Sequence, residues 1–152
     1  MAVQALGSDS WRNGQWRMAY PYRSILSPIE FDDPSLLALS LARRIAADYG
    51  ATLHLLHVAP KLRAIGEPEI SEDEHSLGEK KARIRLAAIA NQYLAGVPYE
   101  IHTISASESA LAKAVVRIAT NVDAELIVLK THGRTVPHCP WPSARSIWEA
   151  GK

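Results

Sequence analysis

The chain alternates short apolar runs with longer segments in which apolar residues recur every three or four positions. The runs predict strands at residues 23–28, 52–58, 99–104 and 126–129. The periodic segments predict three helices, each following one of the first three strands. Strands that alternate with helices across short breaks, with no internal repeat, are typical of a parallel α/β sheet.

Residues with special backbone preferences predict where the helices begin and end. The first helix is predicted to follow Asp33 as its N-cap, with Pro34 in its first turn, and to stop at Gly50. The second helix is predicted to begin near Ser71 to Glu74, where acidic residues suit the positive end of a helix dipole, and to stop at Gly96.

The segment Ala124-Glu-Leu-Ile-Val-Leu-Lys-Thr-His-Gly-Arg134 is the most informative stretch of the chain. Its central residues are continuously apolar, as in a parallel strand that is covered on both faces. Small and polar residues follow this strand directly. Because ligands of open α/β sheets bind at the carboxyl ends of strands, the sequence predicts a ligand site at this edge.

Three segments in this order resemble the universal stress protein family. They are Ser27-Pro-Ile-Glu30, Leu55-Leu-His-Val58 and Lys130-Thr-His-Gly-Arg134, and each one ends a predicted strand. The resemblance covers residues 20–135. It implies a doubly wound, Rossmann-like α/β fold of the adenine nucleotide alpha hydrolase-like kind. The implied parallel sheet has the order 3-2-1-4-5, with strand 5 divergent or missing in this chain.

The resemblance also implies which residues would surround an adenine nucleotide such as ATP or AMP. Glu30 stands where nucleotide-binding members carry Asp, and Val58 matches a position whose backbone borders adenine. The alternatives are a solvated Glu30 at the helix entrance, beside Asp32 and Asp33, and a Val58 that only fills the core. The candidate cofactor-binding residues are Pro28, Ile29, Glu30, Val58, Leu129, Lys130, Thr131, Gly133, Arg134 and Ser143.

The phosphate end of this pattern departs from the family. Nucleotide-binding members carry Gly, two residues, Gly, nine residues, and then Gly followed by Ser or Thr, so that backbone amides approach the phosphates. Here Lys130 replaces the first glycine, Gly133 keeps the second, and Ser143-Ala144 stands at the final pair. Obstruction by the lysine, or a lysine that faces solvent, is favoured over phosphate binding. We therefore expect a degraded nucleotide site and no cofactor.

The two ends of the chain fall outside the resemblance. Residues 1–19 show no strand or helix periodicity and are expected to be a disordered extension. Residues 136–152 contain three prolines within six positions, which exclude a regular helix or a central strand there. One domain is expected over residues 20–135, followed by a divergent Pro-rich tail. The resemblance implies that the last strand pairs the subunits of dimeric members, so its loss here argues against that mode of dimerisation; a homodimer and a protein partner stay as alternatives.

Composition and charge limit where in the cell the protein is expected to be and which partners it is expected to bind. Seventeen Lys and Arg against sixteen Asp and Glu give a formal net charge of +1, so no overall field recruits nucleic acid or an anionic membrane. No apolar run approaches the roughly 18 residues of a membrane helix, and no secretory signal is apparent. The single cysteine, Cys139, has no internal disulfide partner, which favours the cytoplasm.

Metal and catalytic sites are not expected. His132, His138 and Cys139 are metal-capable but lack the paired spacing of a closed zinc site. His54 and His57 are an odd number of positions apart on a strand, so they point to opposite faces and share no ligand. No nucleophile elbow of the Gly-x-Ser-x-Gly type is present.

These observations lead to one main hypothesis and two alternatives. The main hypothesis is a universal stress protein-like binding protein with a regulatory or protective role in a stress response, and not an enzyme. The first alternative is a member that binds ATP and hydrolyses it slowly. The second is a protein-interaction module that acts through Trp141, Trp148 or an exposed sheet edge.

Overall fold

The structure is a computed structural model that describes residues 2–5, 22–61 and 72–130. The predicted tail, 136–152, and most of the predicted extension lie outside these ranges. The strands are β1 (Ala2–Ala5), β2 (Ser24–Pro28), β3 (Thr52–Pro60), β4 (Tyr99–Ala106) and β5 (Leu126–Leu129). The helices are α1 (Asp33–Tyr49), α2 (Glu72–Tyr93) and α3 (Leu111–Asn121), with a 3-10 turn at Glu108–Ala110.

The described strands form one sheet in the order β1-β5-β2-β3-β4. β5, β2, β3 and β4 are parallel, and β2 and β5 are neighbours, with Ile25 opposite Leu126 and Leu26 opposite Ile127. The chain therefore winds outward in both directions from this central pair. This arrangement confirms the predicted doubly wound α/β fold, because the four predicted strands take the order 3-2-1-4.

β1 occupies the place beside β5 where a fifth parallel strand was expected to be divergent or missing. It runs antiparallel to β5, with Ala2 opposite Leu129 and Ala5 opposite Leu126. The sequence analysis predicted no strand within residues 1–19. Four small or mixed residues show no period of their own, so the hydrogen-bonding partner β5, and not a local pattern, determines this strand.

α1 begins one residue earlier than predicted, because Asp32 and not Asp33 is its N-cap. The Asp32 carboxylate accepts a hydrogen bond from the Ser35 backbone N–H (3.0 Å), and the Ser35 hydroxyl accepts one from the Asp32 backbone N–H (3.3 Å). This reciprocal pair satisfies two amides that the helix leaves unbonded. α1 ends at Gly50 as predicted, in the left-handed conformation (φ 67°) that favours glycine.

Apolar clusters cover both faces of the sheet, which explains why the inner strand β5 is continuously apolar in sequence. One cluster joins α1 and α2 to the sheet and includes Ile25, Leu39, Leu53, Leu86 and Leu126. The other joins α3 to the sheet and includes Leu26, Leu56, Leu111, Val115 and Ile127. No helix in the described part of the chain has the length and apolar character needed to cross a membrane.

Candidate functional site

The carboxyl ends of β2, β3 and β5 meet where the sheet reverses its winding direction, which is the place that binds ligands in such folds. The structure brings six of the predicted site residues to this edge: Pro28, Ile29, Glu30, Val58, Leu129 and Lys130. The other four, Thr131, Gly133, Arg134 and Ser143, lie outside the described residues. We call the space between the ends of β2 and β5 the crevice.

Lys130 lies inside the crevice and does not point to solvent. Its ammonium group forms ion pairs with the carboxylates of Glu30 and Asp32. The Lys130 and Glu30 side chains are only 7% and 12% exposed, whereas that of Asp32 is 37% exposed. Because a buried charge is costly without a partner, these two carboxylates are what allow the lysine to remain buried.

Glu30 is a partly buried member of this ion pair and not the solvated carboxylate that was the alternative prediction. Its Oε2 atom contacts Lys130, and its Oε1 atom is buried. Among the described residues, neither Glu30 Oε1 nor the Ser27 hydroxyl has a hydrogen-bond partner. Two buried oxygen atoms near the carboxyl end of β2 therefore have hydrogen-bonding capacity that the described residues do not use.

Phe31 adopts a left-handed backbone conformation, with φ 63°, between the two carboxylates. Such a conformation costs an L-residue roughly 1–2 kcal/mol. The ring is held by His57, at a centroid separation of 4.4 Å, and by the Arg85 guanidinium, 4.0 Å from the ring centroid. The turn at Phe31 lets Glu30 and Asp32 approach the same lysine from one short segment.

The sequence analysis missed Asp32 as a member of the site. It placed Asp32 only at a helix entrance, although a lysine at the end of a buried strand requires a negative partner nearby. The signal available in the sequence was therefore the combination of Lys130 with the closely spaced Glu30 and Asp32. Ser27 was named only as part of the Ser27-Pro-Ile-Glu30 segment and not as a site residue, since a serine in an apolar run gives no sign that its hydroxyl is buried without a partner among the described residues.

His57 fixes the backbone at the entrance to the crevice. Its Nδ1 atom lies 2.8 Å from the Ile29 carbonyl oxygen, and because a carbonyl only accepts, the imidazole donates from Nδ1. Burial lowers the pKa of His57 from its ordinary value; the hydrogen bond to Ile29 opposes this, and the nearby Arg85 charge lowers the pKa further. His57 is therefore neutral at neutral pH.

A basic cleft of about 340 Å³ lies at the carboxyl ends of β3 and β4, against α3. It is lined by Lys61, Ser105, Ala106, Ser107, Ala110, Lys113, Ala114 and Arg117. Lys113 and Arg117 are four residues apart and so share one face of α3. Three cationic side chains around one cleft favour an anionic ligand.

Comparisons with known proteins agree with this architecture. The model of the universal stress protein family matches residues 21–137, which is more than half of the chain. A protein of that family from Burkholderia pseudomallei is 25% identical with a TM-score of 0.58, and the match covers 73% of this chain and 83% of that one. No curated protein matches the chain.

Two further solved structures have the same fold at lower identity. Universal stress protein UspA from Lactobacillus plantarum is 22% identical with a TM-score of 0.61, over 83% of this chain and 89% of that one. A universal stress protein in complex with cAMP is 19% identical with a TM-score of 0.50, over 68% of each chain. That protein therefore combines this fold with a bound cyclic nucleotide.

Proposed function

The chain belongs to the universal stress protein family, and from this premise we propose that it is a regulatory or protective binding protein with a degraded nucleotide site. In this proposal it carries no cofactor and is not an enzyme. Its function in a stress response depends on binding a partner and not on turnover of ATP.

The observation that carries this proposal is the ion pair of Lys130 with Glu30 and Asp32. At the position of Lys130 the nucleotide-binding pattern of the family has a glycine, whose lack of a side chain leaves room for phosphate. Here a long side chain enters the crevice, and two carboxylates already balance its charge. A phosphate would have to displace these carboxylates and would be repelled by them once displaced.

The fold by itself does not oppose nucleotide binding. The similar universal stress protein with cAMP is a nucleotide complex, so the difference proposed here lies in the residues of the crevice and not in the architecture. Glu30 is consistent with this distinction. The Glu30 side chain is 12% exposed, and its Oε2 atom forms an ion pair with Lys130. This ion pair would have to break before Oε2 could accept a hydrogen bond from a ribose hydroxyl.

The test is a thermal-shift titration of the full chain with Mg-ATP, AMP and cAMP up to millimolar concentration. We expect no change in Tm with any of the three, because Lys130 occupies the phosphate end of the crevice. A clear increase in Tm with Mg-ATP that disappears in Lys130→Glu and in Glu30→Ala would overturn the proposal. Circular dichroism of each variant checks that the loss is not caused by unfolding.

The second candidate function is that of an ATP-binding member with slow hydrolysis, and the basic cleft is the observation that favours it. Lys61, Lys113 and Arg117 line a cleft large enough for part of a nucleotide, without requiring Lys130 to move. Under this alternative, Lys113→Met with Arg117→Met abolishes a thermal shift with ATP. Lys130→Met, by contrast, leaves the thermal shift in place.

We also propose a cytoplasmic location and leave the partner as a protein or a second copy of the chain. The single Cys139 supports a reducing compartment. Trp141 and Trp148, the predicted interaction residues, lie outside the described residues. Size-exclusion chromatography with light scattering distinguishes a monomer from a dimer, and a stable dimer would favour the second copy.

A further inference from the structure

A polar cluster lies on the sheet near the amino ends of β3 and β4, at the opposite end of these strands from the crevice. His54 on β3 is opposite Glu100 on β4, and Leu56 is opposite His102. Alternate residues of a strand share one face, so the three polar side chains project on the same side of the sheet as Leu56. That side is the one covered by α3.

The three side chains converge on a small volume. His54 Nδ1 lies 3.1 Å from His102 Nε2 and 3.5 Å from Glu100 Oε2, and His102 Nε2 lies 3.8 Å from the same carboxylate oxygen. In a tetrahedral site with metal–ligand bonds of about 2.0–2.2 Å, neighbouring ligand atoms are about 3.3–3.6 Å apart. The three atoms therefore form one face of a tetrahedron to within a few tenths of an ångström.

We propose that His54, Glu100 and His102 form a binding site for a divalent transition-metal ion, and that zinc is the best match. Two imidazole nitrogens and one carboxylate oxygen are a ligand set that zinc accepts. Magnesium and calcium prefer oxygen ligands throughout and are therefore poor matches. The three protein ligands leave a fourth position for water or for a group from another molecule.

To coordinate a metal ion, His54 and His102 must both be neutral, with the ring proton on the nitrogen that does not bind the metal. Binding places the ring proton of His54 on Nε2 and that of His102 on Nδ1, so both ligating nitrogens present a lone pair. Burial lowers the pKa of each imidazole, and the Glu100 carboxylate partly offsets this effect. Both rings are therefore neutral at neutral pH, and metal binding requires only that the ring whose nitrogen donates in the His54–His102 hydrogen bond changes to its other tautomer.

Access to this site differs among its ligands. The His54 and His102 side chains are 9% and 24% exposed, whereas that of Glu100 is 61% exposed. β4 stands at the end of the described strand order, so an ion enters from the side of Glu100. The Arg83 guanidinium donates a hydrogen bond to the Ile101 carbonyl (3.4 Å) and places a positive charge near His102. The negative charge of the Glu100 carboxylate opposes the effect of this positive charge on His102.

The sequence analysis expected no metal site because His132, His138 and Cys139 lack paired zinc-site spacing, and it compared His54 only with His57. The structure supports that exclusion, since His57 packs against Phe31 on the other side of the sheet. The useful signal was the spacing of Glu100 and His102, two residues apart on the next strand and therefore on one face. Their register against His54 was not readable before the strands were paired.

The test is isothermal titration calorimetry of the full chain with zinc chloride, in a buffer that does not chelate the metal. We expect saturable binding that is weakened by at least about tenfold in His102→Asn and in Glu100→Gln, since each removes one ligand. Titration with Co²⁺ provides a second readout, because tetrahedral coordination gives strong visible absorption that both variants should lose. Zinc should also raise the Tm of the parent by mass action.

His75→Asn is the matched control, because it removes one imidazole from α2, a helix that packs on the other face of the sheet. This control should bind zinc like the parent. Three outcomes would overturn the proposal: no saturable binding by the parent, parental affinity in His102→Asn and Glu100→Gln, or an equal loss in His75→Asn. Thermal melts of the metal-free variants establish that each is folded.

Discussion

Lys130 and Asp32 are 98 positions apart in the chain and form an ion pair at one end of the sheet. The same carboxylate caps α1, since Oδ1 accepts from the Ser35 N–H while Oδ2 contacts the lysine. One side chain thus joins the end of β5 to the beginning of α1. We expect the stability of the helix entrance and the charge state of the crevice to be linked through Asp32.

Removing the charge of Lys130 should destabilise the fold. Lys130→Met keeps most of the side-chain volume but leaves two carboxylates near each other without their cation. We expect the free energy of unfolding to fall by about 2–4 kcal/mol, measured by urea denaturation. Glu30→Gln in the same chain should recover part of this loss, because it removes one of the unpaired charges.

The control for this prediction is Lys113→Met, which removes an exposed lysine on α3. Substitution at such a surface position should change the free energy of unfolding by no more than about 0.5 kcal/mol. If Lys130→Met cost no more than this control, the ion pairs in the crevice would contribute nothing measurable to stability.

The two functions of Asp32 can be separated by two substitutions. Asp32→Asn keeps an oxygen that accepts from Ser35 and loses the negative charge, whereas Asp32→Ala loses both. We expect Asp32→Ala to be the less stable variant by about 1 kcal/mol, the usual contribution of an N-cap side chain. Denaturation of both variants measures the difference, and equal stabilities would show that the cap contributes nothing here.

Because Phe31 has a left-handed backbone, the effect of a substitution there on stability should depend more on the conformational preference of the new residue than on its hydrophobicity. Phe31→Val keeps an apolar side chain but places a β-branched residue at φ 63°, which is a strongly disfavoured combination. Asparagine tolerates this region of backbone conformation. We expect Phe31→Val to be less stable than Phe31→Asn by roughly 1 kcal/mol; the opposite order in thermal melts would show that packing dominates.

His57 should make stability depend on pH in the mildly acidic range. Burial lowers its pKa in the folded state, so below an unfolded pKa of about 6.5 the unfolded chain binds a proton that the folded chain does not. The contribution of neutral His57 to the free energy of unfolding is therefore complete above about pH 6.5, and it is lost as the pH falls toward the pKa of His57 in the folded state. The free energy of unfolding should decrease over that interval.

His57→Asn tests this assignment, because its amide can still donate to the Ile29 carbonyl but does not titrate. The decrease in the free energy of unfolding between about pH 7.5 and about pH 5.5 should be smaller in this variant than in the parent. Burial also lowers the pKa values of His54 and His102, but their effect is common to both proteins. An unchanged pH dependence would contradict the assignment.

The elements of the fold were predictable where local pattern and tertiary environment agree. β5 has the bounds that its apolar run predicted, because a strand covered on both faces needs apolar residues throughout. The end of α1 at Gly50 was predictable because few residues other than glycine adopt φ 67° without strain. The start of α1 was one residue off, since Asp32 and Asp33 are both good caps and only the turn at Phe31 selects between them.

The side-chain contacts in the crevice and in the His54, Glu100 and His102 cluster were harder to predict from the sequence than the secondary structure. Whether Lys130 points into the crevice depends on the backbone at Phe31, which brings Asp32 within reach from a distant part of the chain. The His54 and His102 contact likewise depends on the register between β3 and β4. Both pairings are long-range, and a local pattern of apolar residues carries no information about either one.

The antiparallel strand β1 changes how two such chains would associate. Its backbone is paired along β5 from Ala2 to Ala5, so both sides of β5 are hydrogen-bonded within one chain. A second sheet that joined the described sheet strand to strand would therefore meet one of its two outer strands, β1 or β4, and not β5. Glu100 and His102 lie on β4, so an assembly through β4 would form beside the cluster of His54, Glu100 and His102, whereas an assembly through β1 would form next to β5, on the side of the sheet nearer the crevice.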